Sequence, residues 1–340
     1  MDAIGIDTHK ETLAACLVDE LGTALGEGTF ANDPAGHRAL LDWATASPGA
    51  RIGVEGSSSF GAPAARFLVA AGREVREVPP QLSRRERGRT RRPGKSDPAD
   101  ALAIARVTVR EHDLPPVRLA DASHEIQLLS QARDDVVTEA TRVRNRLHAD
   151  LRVLVPGYGA TAANLTAVRH QATVARLLRG QPGVQAELAR TRLARLRALA
   201  AEERALTARI AERVGDHPLL ALPGAGVLVT AKLVGEVGDV GRFRSADAFA
   251  ALAGVAPIPA SSGQTRRMRL NPGGNRQLNR ALHTIALTQA RTHPPAIAYI
   301  ARKRAEGKSW RDAIRALKRK LVRRVFQLLQ AGAGKLELAA

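Results

Sequence analysis

The sequence predicts an α/β layer over residues 1–118, a long helical spacer over 119–216 and a mainly helical segment over 217–335. Three observations predict it. Three short strand-like runs open the chain and give way to alternating helical and strand-like stretches, the pattern of a mixed sheet covered by helices. After Pro115-Pro116 the apolar residues change to helical spacing and hold it over two long stretches. Finally, Leu222-Pro223-Gly224-Ala225-Gly226 separates an apolar stretch from a further helix, as a helix-hairpin-helix-like turn does.

Taken in order, Ala3-Ile4-Gly5-Ile6-Asp7 is an apolar strand that ends in a carboxylate, and Thr12 to Val18 is a second strand. Asp19-Glu20-Leu21-Gly22 reads as a turn and Thr23 to Phe30 as a third strand, completing an antiparallel meander. Asn32-Asp33-Pro34 starts a helix that runs through Leu40, Leu41 and Trp43. Arg51-Ile52-Gly53-Val54-Glu55 then repeats the opening device, a strand closed by an acid. Gly56 and three serines lead to a helix from Gly61 to Ala71, a strand from Glu74 to Val78, and Pro79-Pro80.

Sites in open α/β sheets gather at the carboxyl ends of strands, where Asp7 and Glu55 fall. Lys95-Ser96-Asp97-Pro98-Ala99-Asp100 supplies two more acids, three apart and on one helical face. Asp97 with Pro98 is also a sound helix start, so capping alone accounts for these residues as well. As a set, the four carboxylates suit two Mg²⁺ ions, with Mn²⁺ as the alternative ion, that polarise a phosphate and stabilise attacking and leaving oxygens.

A net charge of +19 and a pI near 11.3 make a polyanion the expected partner. There is no run of about 18 uninterrupted apolar residues and no signal-peptide pattern, so a cytoplasmic, nucleoid-associated protein with no membrane partner is expected. Aromatics are only 3% of the chain, which excludes a platform on which base after base stacks and leaves phosphate contacts dominant. Cys16, the single cysteine, excludes intrachain disulfides and thiolate zinc clusters, and reads as a core residue.

Gly5-Ile6-Asp7-Thr8-His9-Lys10, Val54-Glu55-Gly56 and Lys95-Ser96-Asp97-Pro98-Ala99-Asp100 together resemble the RuvC-like domain of IS110 family insertion-sequence transposases. The resemblance matches that family's Asp-Glu-Asp-Asp set at all four positions. It implies a ribonuclease H-like fold, magnesium binding, and catalysis by Asp7, Glu55, Asp97 and Asp100.

Gln81 to Lys95 carries Arg84, Arg85, Arg87, Arg89, Arg91, Arg92 and Lys95 against one acid, Glu86, and reads as a solvated loop that contacts nucleic acid. Ile126, Leu129, Val136, Val143 and Leu147 form one helical stripe, and Leu193, Leu196, Leu199, Leu206, Ile210 and Val214 form a second. These helices are expected to pair as a coiled-coil-like antiparallel hairpin or across protomers. Gly224 and Gly226 would expose backbone N–H groups to a phosphate of duplex DNA.

A small-residue loop places Ser261-Ser262-Gly263 before Arg266, Arg267 and Arg269, a cationic surround suited to a serine attacking a phosphodiester. Residues 252–282 resemble the second conserved domain of the same family, whose loop carries a catalytic serine just before glycine; this implies that role for Ser262, with the adjacent Ser261 as the alternative that chemistry alone leaves open. Ser309-Trp310-Arg311-Asp312 starts a last helix that buries Ile314, Leu317, Leu321, Val325 and Leu328, with Lys318, Arg319 and Arg323 offered to phosphate.

A DNA transposase or recombinase working through a serine–phosphodiester link is therefore the leading expectation. The resemblance further implies a bridging guide RNA and a homo-oligomer, dimer or tetramer, acting on donor and target duplexes. Three other readings are open: a junction-resolvase type nuclease using metal-activated water, a non-catalytic nucleic-acid scaffold, and an actin-like ATPase suggested by Gly5-Ile6-Asp7-Thr8. The last lacks a second glycine-rich phosphate loop.

Overall fold

The computed structural model describes residues 1–88, 97–117, 120–259, 268–269, 271 and 273–333. It divides into two compact units, Met1–Leu119 and Ala120–Ala340.

In the first unit the strands are β1 (Ala3–Thr8), β2 (Thr12–Val18), β3 (Ala24–Ala31), β4 (Arg51–Val54) and β5 (Val75–Glu77). The helices are α1 (Pro34–Thr45), α2 (Ala62–Ala70), α3 (Pro80–Arg87) and α4 (Asp97–Arg110). The sheet order is β3-β2-β1-β4-β5. β1, β2 and β3 pair antiparallel, whereas β4 and β5 run parallel to β1. A three-stranded meander extended by parallel strands is the ribonuclease H-like layout.

Strand parity explains how the two faces of the sheet are filled. Ile4 and Ile6, fully buried, face a cluster with Leu40 of α1 and Ala64, Ala65 and Leu68 of α2. Each such side chain contributes roughly 1.5–3 kcal/mol relative to exposure. On the other face Ala3, Ala14 and Cys16 pack against Ala101 and Ala105 of α4. Glycine supports this second contact: a Cβ on Gly5 would overlap the Ala105 amide and Ala101 carbonyl, and one on Gly53 would overlap Thr108 Oγ1. The sheet and α4 therefore approach more closely than any side chain at those positions would permit.

Burial pushes the Cys16 thiol up to about 11, as befits a core residue. The native chain is accordingly expected to leave a thiol-reactive dye such as Ellman's reagent unreacted, and to release one equivalent on denaturation. Prompt reaction of the folded protein would contradict this packing.

α3 departs from the sequence expectation, which placed a loop from Gln81. Its buried residues are polar, Ser83 and Glu86, so no apolar period marks it. Glu86 Oε2 accepts from Arg110 Nη1 at 2.5 Å, tying α3 to α4.

The second unit contains α5 (Ala122–Leu154), α6 (Gly159–Ala162), α7 (Val168–Arg179), α8 (Val184–Val214), α9 (Val227–Val237) and α10 (Ala246–Leu252). A short two-stranded ribbon, β6 (Ile258–Pro259) and β7 (Met268–Arg269), precedes α11 (Arg276–Thr292), α12 (Pro294–Ala305) and α13 (Trp310–Gly332). Within the chain, α5 and α8 form an antiparallel hairpin. Its cross-ties run from Glu125–Arg213 at 2.7 Å, through Arg133–Glu203 and Glu139–Arg195, to Asp150–Arg192.

Two cores hold this unit together. Leu147, Leu151, Leu193 and Leu196 meet Leu165, Val174 and Leu178 at one end of the hairpin. At the other end, Ile126, Leu129, Ile210 and Val214 join the C-terminal helices around Phe249, whose ring stacks on Phe326 with centroids 5.8 Å apart. In α13, Ile314, Leu317, Leu321 and Val325 are buried as the spacing predicts; Leu329 rather than Leu328 completes the stripe. No helix among the described residues is long and apolar enough to cross a membrane.

Candidate metal centre and nucleic-acid surfaces

The centre follows from the parity that fills the sheet. Gly5 faces α4, so Asp7, two residues on, also points to α4; Gly53 and Glu55 repeat the relation on β4. β1 and β4 are adjacent and parallel, with Ile6 opposite Val54 and the Glu55 N–H donating to the Ile6 carbonyl at 3.1 Å. Both acids thus leave the sheet at the same end. Gly56, at φ 75°, turns the chain away immediately afterwards. α4 brings its first turn, with Asp97 and Asp100, over that end.

Asp7 is the electrostatic focus. Burial raises its pKa above the ordinary 3.8, His9 opposes that shift, and the charges of Asp100, Glu55 and Asp97 add to it in that order. His9 Nε2 lies 3.2 Å from both Asp7 Oδ2 and Asp97 Oδ1. Ligand atoms of Asp7, His9 and Asp97 fall within 4.8 Å of one another. The other two acids are tethered from α3. Ser83 Oγ donates to Glu55 Oε2 at 2.5 Å, and Arg87 Nη1 pairs with Asp100 Oδ1 at 3.1 Å. Ser83 and Arg87 are four apart, so one face of α3 reaches both.

The donor set fits a divalent cation on the structure's own terms. Asp7 Oδ2 and Asp100 Oδ1 are buried without a hydrogen bond, although oxygens of this kind are ordinarily satisfied. His9 and Arg87 stand beside these two oxygens as ion-pair partners, and a cation would relieve the repulsion among the carboxylates that those contacts leave.

Sequence reasoning gave no role to His9 or Ser83. His9 was legible from parity alone, since it continues the alternation of Gly5 and Asp7. Ser83 lay inside the arginine-rich run, where nothing local distinguished it.

The predicted nucleic-acid contacts scatter over both units. Arg84 and Arg85 are exposed on α3, whereas Arg87 turns inward to Asp100. Gly224, at φ 87°, packs against Ile285 and Thr288 of α11; Gly226 caps α9 beside open space. Arg319 and Arg323 share Asp247 Oδ1, at 2.7 and 3.8 Å. Lys318 is buried. Arg89, Arg91, Arg92, Lys95, Ser261, Ser262, Arg266 and Arg267 lie outside the described residues, as does the Arg269 side chain. β6 and β7 pair antiparallel, with Pro259 opposite Met268, and so bracket the segment that carries both serines.

Because Gly5 sets the spacing between β1 and α4, Gly5→Ala is expected to destabilise the first unit by roughly 1–3 kcal/mol. Urea unfolding with an unchanged slope and a lowered midpoint would register it. An unshifted midpoint would contradict the close approach.

Comparison with known proteins agrees with this architecture. Residues 4–156 match a family described as "Transposase", of the Asp-Glu-Asp-Asp IS110 type, and residues 216–301 match "Transposase IS116/IS110/IS902 family". The chain is 31% identical to the "Insertion element IS900 uncharacterized 42 kDa protein" of Mycobacterium paratuberculosis over 78% of each chain. It is 27% identical to the "Insertion element IS110 uncharacterized 43.6 kDa protein" of Streptomyces coelicolor, over 97% of this chain and 94% of that one. A solved structure, "T. thermophilus RuvC in complex with Holliday junction substrate", is similar over 31% of this chain and 90% of its own, at 20% identity and a TM-score of 0.25. The fold assignment rests on strand order and direction rather than on that overlap. Two family matches in sequence order, and a relative 31% identical over most of its length, establish that the chain belongs to the IS110/IS116/IS902 family of transposases.

Proposed function

We propose that the chain cuts and rejoins DNA at a divalent-metal centre held by Asp7, Glu55, Asp97 and Asp100, with Ser262 as the nucleophile. The observation that carries the reading is Asp7. Its half-buried carboxylate is repelled by three other acids, and Oδ2 makes no hydrogen bond, with only His9 Nε2 beside it at 3.2 Å among the described residues, a state that a bound cation relieves. Mg²⁺, with Mn²⁺ as a substitute, would supply neutralisation of these carboxylates and of charge building on a phosphate.

The chain's own residues then take separate tasks. Asp7 and Asp97 offer oxygens at the sheet end, Ser83 orients Glu55, and Arg87 orients Asp100. Ser262 Oγ attacks phosphorus, forming an O–P bond while the P–O3′ bond breaks; the serine proton passes to the departing 3′ oxygen through the site's acids or water. Attack by a 3′-hydroxyl on the 5′-phosphoserine reverses these changes and releases the serine. Bond energy is conserved in the link, so no nucleotide cofactor is required.

Donor and target duplexes are the proposed substrates, a bridging RNA the proposed guide, and a homo-oligomer the proposed working form; family membership and the +19 charge support them. The test is to quench the reaction in denaturant and look for a DNA 5′ end covalently attached to the protein. Cut products with only free ends would favour hydrolysis by metal-activated water.

A further inference from the structure

Between α11 and α13 lies a cavity of about 860 Å³ whose charged lining is entirely basic: Arg276, Arg280, Arg311, Arg315 and Lys318, with no Asp or Glu among the lining residues. The first turns of both helices contribute to it, so their positive ends add to the field. Among the described residues Arg276, Arg280 and Arg311 make no ion pair, and Arg315 is held only by the half-exposed Asp312 at 2.8 Å.

Lys318 is the anomaly. It is 8% exposed, yet its ammonium donates to a neutral acceptor, Asn279 Oδ1, at 2.6 Å, and no carboxylate among the described residues pairs with it. Burial, reinforced by Arg315, pushes its pKa down to about 8. A buried cation costs stability unless an anion compensates it, and none of the described side chains supplies one. Trp310, the first residue of α13 and about two helical turns from Lys318, lines the same cavity with 43% of its surface exposed.

We infer that this cavity clamps a single-stranded segment of nucleic acid, with a phosphate on Lys318 and the flanking arginines and an unpaired base stacked on Trp310. The inference rests on the reading of the chain as a nucleic-acid enzyme and adds a strand-binding site away from the carboxylates. An inorganic anion alone would leave the indole face unused. A duplex keeps its bases stacked within and offers none to Trp310. One aromatic is no platform for a run of bases, but it suffices for one.

Trp43 and Trp310 are the two tryptophans, so Trp43→Phe in the full chain makes Trp310 the sole indole reporter. The experiment titrates that protein, in EDTA, with a short oligothymidylate, an oligouridylate, a blunt duplex and inorganic phosphate. At least one single strand is expected to quench Trp310 emission saturably, the tighter of the two identifying DNA or RNA as the natural source, while duplex and phosphate leave it unchanged.

By anisotropy with a labelled single strand, Trp310→Ala is expected to weaken binding about 5- to 150-fold, with Trp310→Phe retaining most of the affinity. Lys318→Met is expected to cost roughly 10-fold and to reduce the salt slope by about 0.7, without lowering the melting temperature. The site is overturned if duplex or phosphate quenches as strongly as single strand, or if Trp310→Ala or Lys318→Met binds as wild type. Asp7→Asn serves as the separating control. Quenching intact with cleavage lost is the expected result in that variant; quenching intact with cleavage also intact counts against the metal-centre reading alone, and absent quenching in the Trp43→Phe chain that still cleaves counts against this cavity alone.

Discussion

Asp7→Asn is expected to abolish DNA strand cleavage while raising the melting temperature of the metal-free chain. The two effects have one cause. The raised pKa of Asp7 means that folding favours its protonated form, so its contribution to stability is present below the ordinary 3.8 and lost as pH rises through the folded value. At neutral pH the ionised carboxylate is therefore a burden on the fold, compounded by Asp100, Glu55 and Asp97. An amide there keeps the shape and removes the charge. Relief of about 1 kcal/mol would raise the melting temperature by roughly 4 °C in a domain of this size. Cleavage, deprived of several kcal/mol of transition-state stabilisation, should fall by about 10³-fold or more. Mg²⁺ should raise the melting temperature of wild type but not of the variant. A lowered metal-free melting temperature, or cleavage within a few-fold of wild type, would contradict this assignment.

Ser262→Ala is expected to eliminate the covalent protein–DNA product, with strand rejoining reduced on the order of 10⁴-fold or more. Ser261→Ala should leave both largely intact. The measurement is a denaturing gel of end-labelled DNA, with protease treatment to reveal material shifted by attached protein. Cutting that continues in Ser262→Ala with free ends would identify water as the nucleophile. Loss of the adduct in Ser261→Ala alone would transfer the role to that serine.

Much of the first unit was legible because its signals are local. Short apolar runs marked β1 and β2, Asp33-Pro34 marked the start of α1 through a cap that accepts the Gly36 amide at 2.8 Å, and strand-end acids pointed to the sheet edge. The tethering by α3 was not legible. A helix that buries Ser83 and Glu86 carries no apolar stripe, and partners 28 and 24 residues away give no local sign of the Ser83–Glu55 and Glu86–Arg110 contacts. Likewise Lys318 read as one more cation on a basic helix; only the packing of α11 beside α13 shows it to be buried on Asn279. Residues 168–179, a helix with buried Val174 and Leu178, escaped notice because their apolar stripe is short and charged residues interrupt it.

The most direct measurement of the central claim is anomalous X-ray scattering from crystals of the full chain grown with saturating Mn²⁺. The expected map shows one or two peaks among Asp7, Glu55, Asp97 and Asp100, each roughly 2.0–2.5 Å from carboxylate oxygens. Ordered carboxylates at these four positions with no peak between them, or Mn²⁺ bound only elsewhere on the chain, would contradict it.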